Sequence, residues 1–205
     1  MGESLLDTEE RLNFTKAPAL WEEQGEPREV IIHLTETGRT LKIPTPKKPY
    51  QTYTAGPLFT ILQRKMIEEI ATVMASKGVV PYIPHIQSKE VTVIGSKWKD
   101  AVFRLDVRGI DTSDFLTMWA DYSVEPDPGT VWEQARAYTL NKPVIVLRED
   151  YRSLSRRRDE VMDTSIMNLM IEESIDLVAT NLDELEKAVD EVIKYLDKKK
   201  SSAKG

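Results

Sequence analysis

The segment spanning residues 115–147 constrains the fold of this chain more than any other part of the sequence. It opens with the apolar run Phe115–Trp119 and closes with the apolar residues 143–147, and each run has the length of a buried strand. Between them, two prolines and a glycine interrupt regular structure before a helical stretch. A strand, a loop, a helix and a second strand in this order form the unit from which parallel α/β sheets are built.

The same alternation of apolar and amphipathic stretches continues on both sides of this segment. Strands are expected at residues 50–55, 79–83 and 175–179, a loop at 85–95, and helices at 58–78, 96–109, 161–173 and from residue 181 onwards. The first of these helices is expected to bury Leu58, Leu62, Met66 and Ile70, which are four residues apart.

Five strands alternating with helices fit a flavodoxin-like, doubly wound parallel sheet with the strand order 2-1-3-4-5. In such α/β sheets, ligands bind at the carboxyl ends of the strands, where the order reverses between strands one and three. The loops that meet at this point hold residues 53–57 and 127–133.

The N-terminal region predicts a separate extension of the α/β domain. Residues 30–34 and 40–43 flank Glu36-Thr37-Gly38-Arg39 and predict a β-hairpin, and three prolines follow it. We therefore divide the chain into an arm with a β-hairpin (residues 1–48), an α/β domain (residues 49–198) and a flexible tail (residues 199–205).

Composition excludes several classes of partner. The net charge of −6 argues against a nucleic-acid backbone, and no apolar run is long enough to cross a membrane. There is no cysteine, there are only two histidines, and no glycine-rich nucleotide motif is present. These features predict a cytoplasmic protein with neither a metal nor a cofactor.

Glu133 admits two interpretations. Thr130 and Glu133 have the spacing of a capping box, in which both side chains bond to amides of a helix N-terminus. Alternatively, the helix N-terminus keeps Glu133 ionised as a nucleophile. The spacing alone favours the cap.

Asp106 is a candidate general acid. It shares a predicted helix face with Trp98 and Val102, and a carboxyl group on an otherwise apolar face has a raised pKa. Such a group can protonate a leaving group. A local cap near Gly109 explains the aspartate equally well.

Three motifs in this order resemble the nucleoside 2-deoxyribosyltransferase family. They are Tyr-x-Ala-Gly-Pro-Leu-Phe from Tyr53, Asp-x-x-Gly-Ile-Asp-Thr-Ser-Asp from Asp106, and Asp-x-Gly-Thr-x-x-Glu from Asp127. The resemblance covers residues 50–180. Each motif alone is weak, but the ordered set is fairly specific.

The resemblance implies a role for each matching residue. Glu133 would attack C1′ of a 2′-deoxyribonucleoside, Tyr53 would orient Glu133, and Asp106 would protonate the departing base. The implied substrate-binding residues are Asp127 for the sugar hydroxyls, Asn168 and Met170 from a neighbouring subunit, Trp98 and Phe59 around the base, and Gln87 near it.

The implied reaction is transfer of 2-deoxyribose between purine or pyrimidine bases, as in nucleotide salvage. It would proceed with retention and ping-pong kinetics through a covalent deoxyribosyl-glutamate. The implied partners are 2-deoxynucleosides, free nucleobases and further copies of this chain in a homo-oligomer.

Two alternatives stay open. An N-glycosidase of deoxynucleoside 5′-monophosphates would need phosphate-binding donors near the first loop, where Thr60 and Arg64 are the candidates. A catalytically silent nucleoside-binding protein could use the same fold.

Overall fold

The structure is a computed structural model that describes residue 22 and residues 28–45, 49–91, 96–121, 125–150, 157–158, 161–162 and 167–202. The strands in these residues are β1 (Glu29–His33), β2 (Thr40–Pro44), β3 (Gln51–Ala55), β4 (Val80–Tyr82), β5 (Phe115–Trp119), β6 (Val144–Leu147), β7 (Arg157–Arg158), β8 (Val161–Met162) and β9 (Leu177–Ala179). The helices are α1 (Ile61–Ser76), α2 (Pro84–Gln87), α3 (Ser96–Thr112), α4 (Pro128–Thr139), α5 (Leu169–Glu172) and α6 (Leu182–Ser202), with a 3₁₀ helix at Ser88–Glu90.

Five parallel strands form the central sheet in the order β4-β3-β5-β6-β9. Counted along the chain from β3, this is 2-1-3-4-5, so the flavodoxin-like strand order is confirmed. The order reverses between β3 and β5, and the carboxyl ends of these two strands therefore flank the crevice in which a ligand is expected.

Each face of the sheet packs on a different set of helices, because side chains alternate along every strand. On one face, Phe115 and Ile145 are buried with residues of α1 and α6. On the other face, Tyr53, Leu116 and Val144 are buried with residues of α3 and α4. The sheet is therefore doubly wound, and Tyr53 is directed towards α3 and α4.

The predicted N-terminal hairpin is confirmed, since β1 and β2 pair in antiparallel register. Val30 and Ile43 of the hairpin pack against Val80 of β4, the edge strand of the central sheet. Residues 46–48 of the proline-rich linker and residues 1–21 and 23–27 of the arm lie outside the described residues. The domain boundary in the linker stays a prediction.

The turn of the hairpin encloses a buried carboxylate of α1. The backbone amides of residues 35, 36 and 37 donate to Glu68 at 2.8, 2.9 and 2.7 Å, and Nε2 of His85 lies 3.2 Å from the same carboxylate. Burial alone would raise the pKa of Glu68, but these hydrogen bonds lower it to about 2. The hairpin is therefore fixed to the α/β domain by a charged, fully hydrogen-bonded anchor.

The buried face predicted for the first helix is confirmed only in part. Ile70 is completely buried, and Met66 packs against the same core. Thr60 caps α1 and exchanges hydrogen bonds with Gln63, so the helix starts at Ile61 and Leu58 precedes it. Leu62 is 78% exposed. Residues four apart drift around a helix of 3.6 residues per turn, and the row chosen from the sequence therefore leaves the buried face.

Gly109 does not end α3, which continues to Thr112. A Cβ atom at this position would lie 2.6 Å from Cζ of Tyr82. The glycine is therefore explained by the close packing of the helix on this ring, and not by a helix end.

Three other local predictions differ from the structure. Pro84 occupies the first turn of α2, so helical turns begin in the region that was predicted to be a loop. In the region predicted as one helix, Val161–Met162 pairs with Arg157–Arg158 as a strand, and α5 starts only where the Asn168 side chain accepts from the amide of Met170. Helix α6 continues to Ser202, into the predicted tail.

Candidate active site

Tyr53 and Glu133 are joined by a short hydrogen bond between β3 and α4. Tyr53 is completely buried, and its hydroxyl donates to Oε1 of Glu133 at 2.6 Å. Hydrogen bonds of this length to a carboxylate are strong and directional. The tyrosine therefore fixes the orientation of the glutamate.

Helix α4 is capped by Asp127 and not by Thr130. The Asp127 carboxylate accepts from the amide of Thr130 at 3.1 Å, and Pro128 occupies the first helical position. The helix thus starts earlier than the capping-box interpretation assumed, and Glu133 lies in its second turn. The interpretation of Glu133 as a cap was wrong, and its side chain bonds to Tyr53 instead.

A second tyrosine, Tyr82, connects Asp106 to Tyr53. Tyr53 and Tyr82 occupy paired positions on adjacent strands, and their rings stack with centroids 5.1 Å apart. The Tyr82 hydroxyl donates to Oδ1 of Asp106 at 3.3 Å. We call the four residues Glu133, Tyr53, Tyr82 and Asp106 the tyrosine–carboxylate ladder.

The two carboxyl groups of the ladder line one cavity of about 250 Å³ between α3 and α4. Phe103 and Trp132 form part of its wall, with ring centroids 5.4 Å apart, and Val107 and Gly129 complete it. Mostly apolar walls with a few polar groups are typical of small-molecule sites, and this cavity lies near the lower end of their size range.

Burial gives both carboxyl groups unusual pKa values. It raises the pKa of Asp106 to about 6, although the hydrogen bond from Tyr82 acts in the opposite direction. It raises the pKa of Glu133 to about 8, opposed by the Tyr53 bond and reinforced by the negative charges of Asp106 and Asp127. The raised pKa expected for Asp106 is confirmed. The expectation that a helix N-terminus keeps Glu133 ionised does not fit this raised pKa, because Glu133 lies beyond the first turn of α4 and burial disfavours its charge.

The other predicted ligand-binding residues are distributed unevenly. Asp127 lies at the helix end that carries Glu133, although it does not line the cavity itself. Five further residues do not line the cavity either, in the part of the chain that the structure describes. They are Phe59 and Met170, each 78% exposed, Trp98, 44% exposed, Gln87 at the end of α2, and Asn168 at the start of α5.

The sequence interpretation missed three aromatic residues of the site. Tyr82 could have been found, because it ends the strand next to β3 and pairs there with Tyr53. Phe103 lies one helical turn before Asp106, and Trp132 directly precedes Glu133. Periodicity alone does not distinguish Phe103 and Trp132 from ordinary core residues. Only the packing of α3 on α4 shows that both line the cavity.

A larger cavity of about 440 Å³ lies at the opposite edge of the sheet, between the end of α4 and α6. Its wall contains Asp176, which already accepts a hydrogen bond from the amide of Val144. The smaller cavity is the better candidate for chemistry, because two partly buried carboxyl groups with raised pKa values face it.

Among the described residues, no group of three or more His, Cys, Asp or Glu side chains could hold a metal ion. No helix in these residues is both long and apolar enough to span a membrane.

The family model described as nucleoside 2-deoxyribosyltransferase matches residues 52–189, which is more than half of the chain. The chain belongs to the nucleoside 2-deoxyribosyltransferase family. Membership makes it a nucleoside deoxyribosyltransferase-like enzyme of pentosyl transfer. No curated protein matches the chain significantly.

Solved structures of nucleoside 2-deoxyribosyltransferases have the same fold. The enzyme from Bacillus psychrosaccharolyticus is 25% identical, with a TM-score of 0.54 over 66% of this chain and 90% of that chain. The 2-desoxiribosyltransferase from Leishmania mexicana is 21% identical, with a TM-score of 0.51 over 66% and 93%. A CMP N-glycosidase from Clostridium botulinum is 16% identical, with a TM-score of only 0.41 over 68% and 98%.

The match to the nucleoside 2-deoxyribosyltransferase family includes the whole tyrosine–carboxylate ladder. It begins at Thr52, directly before Tyr53, and extends beyond Glu133. The hairpin β1–β2 lies outside the matched residues, so the Glu68 anchor joins an additional element to the family domain.

Proposed function

We propose that the protein transfers 2-deoxyribose between nucleobases through a covalent deoxyribosyl-glutamate on Glu133. The observation that carries this proposal is the bond of 2.6 Å from the buried Tyr53 hydroxyl to Glu133, with Asp106 lining the same cavity. One oriented carboxylate and one carboxylic acid are the groups that a retaining glycosyl transfer needs.

In the first half-reaction, a Glu133 oxygen forms a bond to C1′ while the bond from C1′ to the base nitrogen breaks. The bonding electron pair leaves with the base, and Asp106 donates a proton to it. In the second half-reaction, the ionised Asp106 removes a proton from an incoming base, whose nitrogen attacks C1′ and releases Glu133. The two displacements retain the configuration at C1′ and give ping-pong kinetics.

At neutral pH, Glu133 and Asp106 together carry about one proton. With a pKa of about 8 for Glu133 and about 6 for Asp106, that proton resides mainly on Glu133. The reaction needs it on Asp106. Positive charge that develops at C1′ beside Glu133 lowers the pKa of the glutamate, and the Tyr53 bond acts in the same direction. The substrate thereby moves the proton to its working position.

The remaining predicted residues enter the proposal as ligands of the substrate. Asp127 would bind the sugar hydroxyls, and Trp98, Phe59 and Gln87 would contact the base. Asn168 and Met170 would reach the cavity of a neighbouring subunit, which is supported by the 78% exposure of Met170. The proposed assembly is a homo-oligomer that acts on 2-deoxynucleosides and free nucleobases in cytoplasmic nucleotide salvage, without a metal or cofactor.

The alternative activity on 5′-monophosphates has less support, because its candidate phosphate ligands are already engaged. Nε of Arg64 is 2.7 Å from Oε1 of Glu36, and Nη1 donates to the carbonyl of Leu58 at 3.0 Å. Thr60 exchanges hydrogen bonds with Gln63 as the cap of α1. A phosphate would have to displace these partners.

A donor panel tests the proposal. The protein is incubated with each deoxynucleoside and each deoxynucleoside 5′-monophosphate, with and without adenine as acceptor, and the products are separated by chromatography. Transfer from deoxynucleosides to adenine supports the proposal. Hydrolysis of monophosphates alone supports the N-glycosidase, and binding without release of base supports the silent binding protein.

Mass spectrometry tests the intermediate. The protein with donor alone should carry a deoxyribosyl adduct on the peptide that contains Glu133. Turnover without such an adduct contradicts the covalent mechanism.

A further inference from the structure

A buried ion pair joins the two helices that carry the catalytic carboxyl groups. Arg136 of α4 donates from Nε to Oδ1 of Asp111 at 2.6 Å and from Nη2 to Oδ2 at 2.7 Å. The Asp111 side chain is completely buried, and that of Arg136 is 21% exposed. Two parallel bonds between planar groups fix distance and orientation together, which a single contact does not.

Lys142, in the turn after α4, binds the C-terminal end of α3, which also carries Asp111. Its amino group donates to the carbonyls of Ile110 at 3.0 Å and Asp111 at 2.7 Å, and also to that of Ser113. These carbonyls lie at the C-terminal end of α3, which is the negative end of the helix. Burial lowers the pKa of Lys142 to about 8, with the charge of Arg136 acting in the same direction and those of Asp114 and Asp111 opposing it.

The ion pair lies close to the catalytic groups along both helices. Asp111 follows Asp106 by five residues, about 7.5 Å along α3, and Arg136 follows Glu133 by three residues, about 4.5 Å along α4. At the other side of the carboxyl groups, α3 and α4 touch through Phe103 and Trp132, whose side chains are about half exposed. The charge pair is therefore the better shielded from water of these two contacts.

We propose that the Asp111–Arg136 pair is a positioning device that sets the separation of Glu133 and Asp106 and thereby the rate of deoxyribosyl transfer. This inference rests on the proposed function. The pair touches neither the cavity nor the reacting atoms, so it acts through the two helices. A displacement of about 1 Å between reacting groups can lower a rate by about a hundredfold.

Separation of the helices also changes the ionisation of the pair. The groups facing Glu133 are Tyr53, Asp106 and Asp127, and those facing Asp106 are Tyr82 and Glu133. If α3 and α4 move apart, water enters and the repulsion between the carboxylates weakens. Both raised pKa values then fall towards their ordinary range.

Arg136→Met tests the inference, with Arg104→Met as its control. Arg104 forms an exposed bond of 2.9 Å to Asp100 within α3 alone, so its loss leaves the distance between the helices unchanged. For Arg136→Met we expect kcat to fall by about tenfold or more with KM within about threefold. Both limbs of the pH profile of kcat/KM should move to lower pH. Arg104→Met should match the wild type in all three measurements.

Arg136→Lys and the exchange Asp111→Arg with Arg136→Asp separate positioning from folding. Lysine keeps the charge and loses the paired bonds, so kcat should lie between the wild type and Arg136→Met. The exchange should restore part of kcat. The kinetic constants are expressed per folded molecule, with the folded fraction measured by circular dichroism at each pH, so that unfolding alone does not move the pH profile. An unmoved profile with kcat reduced only by the folded fraction overturns the inference.

Carboxyl titration by NMR distinguishes this inference from the proposed function. If no donor is turned over, the proposed function is wrong, but the pKa values of Glu133 and Asp106 can still be compared between wild type and Arg136→Met. Lower pKa values in the variant support the positioning role. Identical pKa values in the two folded proteins contradict it.

Discussion

Glu68 and Glu133 are both glutamates of helices that follow a strand of the central sheet, yet they ionise oppositely. Glu68 in α1 has a pKa of about 2, and Glu133 in α4 has a pKa of about 8. Burial raises the pKa in both cases. Glu68 receives bonds from three backbone amides and lies beside His85, whereas Glu133 receives one bond from Tyr53 and lies near two further carboxylates.

The comparison indicates that the number of hydrogen-bond donors sets the direction in which the pKa of each carboxyl group shifts. A fully hydrogen-bonded carboxylate is stable as an anion and is a poor nucleophile. A carboxylate with one donor in an apolar cavity gains free energy when a positive centre approaches it. The hairpin supplies hydrogen-bond donors to Glu68 on one face of the sheet. On the other face, a substrate is proposed to supply positive charge beside Glu133.

The largest effect is expected for Glu133→Gln. The amide cannot form the covalent intermediate, so kcat should fall by at least about a thousandfold. The free energy of unfolding at pH 8 should not fall, because a neutral group replaces one whose ionisation is opposed by burial. Transfer assays and urea denaturation measure the two quantities. A strongly destabilised but active variant would place Glu133 in the same class as Glu68.

Glu68→Gln should show the reverse pattern. It leaves the backbone amides of the turn without their anion, and unfolding should become easier by about 3 kcal/mol. The lowered folded-state pKa adds stability above pH 4.5 that is lost as the pH falls towards 2. The difference in urea midpoint should therefore shrink between pH 7 and pH 3. Transfer by the folded fraction should stay within about twofold of the wild type.

Glu69→Gln is the matched control for Glu68→Gln. Glu69 is the next residue of α1 and pairs with Arg39 of the hairpin at 2.6 Å, but both side chains are about 40% exposed. Its loss should reduce stability by less than about 1 kcal/mol. Equal losses for Glu68→Gln and Glu69→Gln would contradict the anchor.

Tyr53→Phe should reduce kcat/KM by about tenfold to a hundredfold, the range expected for a hydrogen bond to a charged group. The Tyr53 bond lowers the pKa of Glu133, and Glu133 has the higher pKa of the pair. Removing the bond therefore moves the alkaline limb of the kcat/KM profile to higher pH. Tyr82→Phe should move the acid limb to higher pH through Asp106. A shift of the same limb in both variants would contradict the assignment of Tyr53 to Glu133 and of Tyr82 to Asp106.

Among the residues of the candidate site, the smallest effect on stability is expected at Asp127. Asp127→Ala removes the cap of α4 and should reduce the free energy of unfolding by about 1 kcal/mol. Asp127→Asn keeps a capping oxygen and should differ from the wild type by only a few tenths of a kcal/mol. Thermal denaturation of the two variants side by side measures the difference, and equal stabilities would mean that the cap contributes little.

Local pattern was sufficient for the order of the sheet and for the identity of the catalytic candidates. Apolar runs of strand length at 115–119 and 143–147 allow few topologies, and the ordered motifs around Tyr53, Asp106 and Glu133 point to one family. The assignment of Glu133 to a cap failed because capping depends on which residue begins the helix. Asp127, which precedes Pro128, and Thr130 are both favourable N-cap residues. The local pattern does not show which of the two begins the helix.

Periodicity and motif spacing are properties of short stretches, so they were enough to predict the five strands of the central sheet, its parallel topology and the family. The ionisation of each carboxyl group depends instead on contacts that form only in the folded chain. The donors of Glu68 come from a hairpin 31 to 33 residues away, and the hydroxyl that holds Glu133 comes from a strand 80 residues away. A pKa depends on everything within a few ångströms, and the fold alone assembles those neighbours.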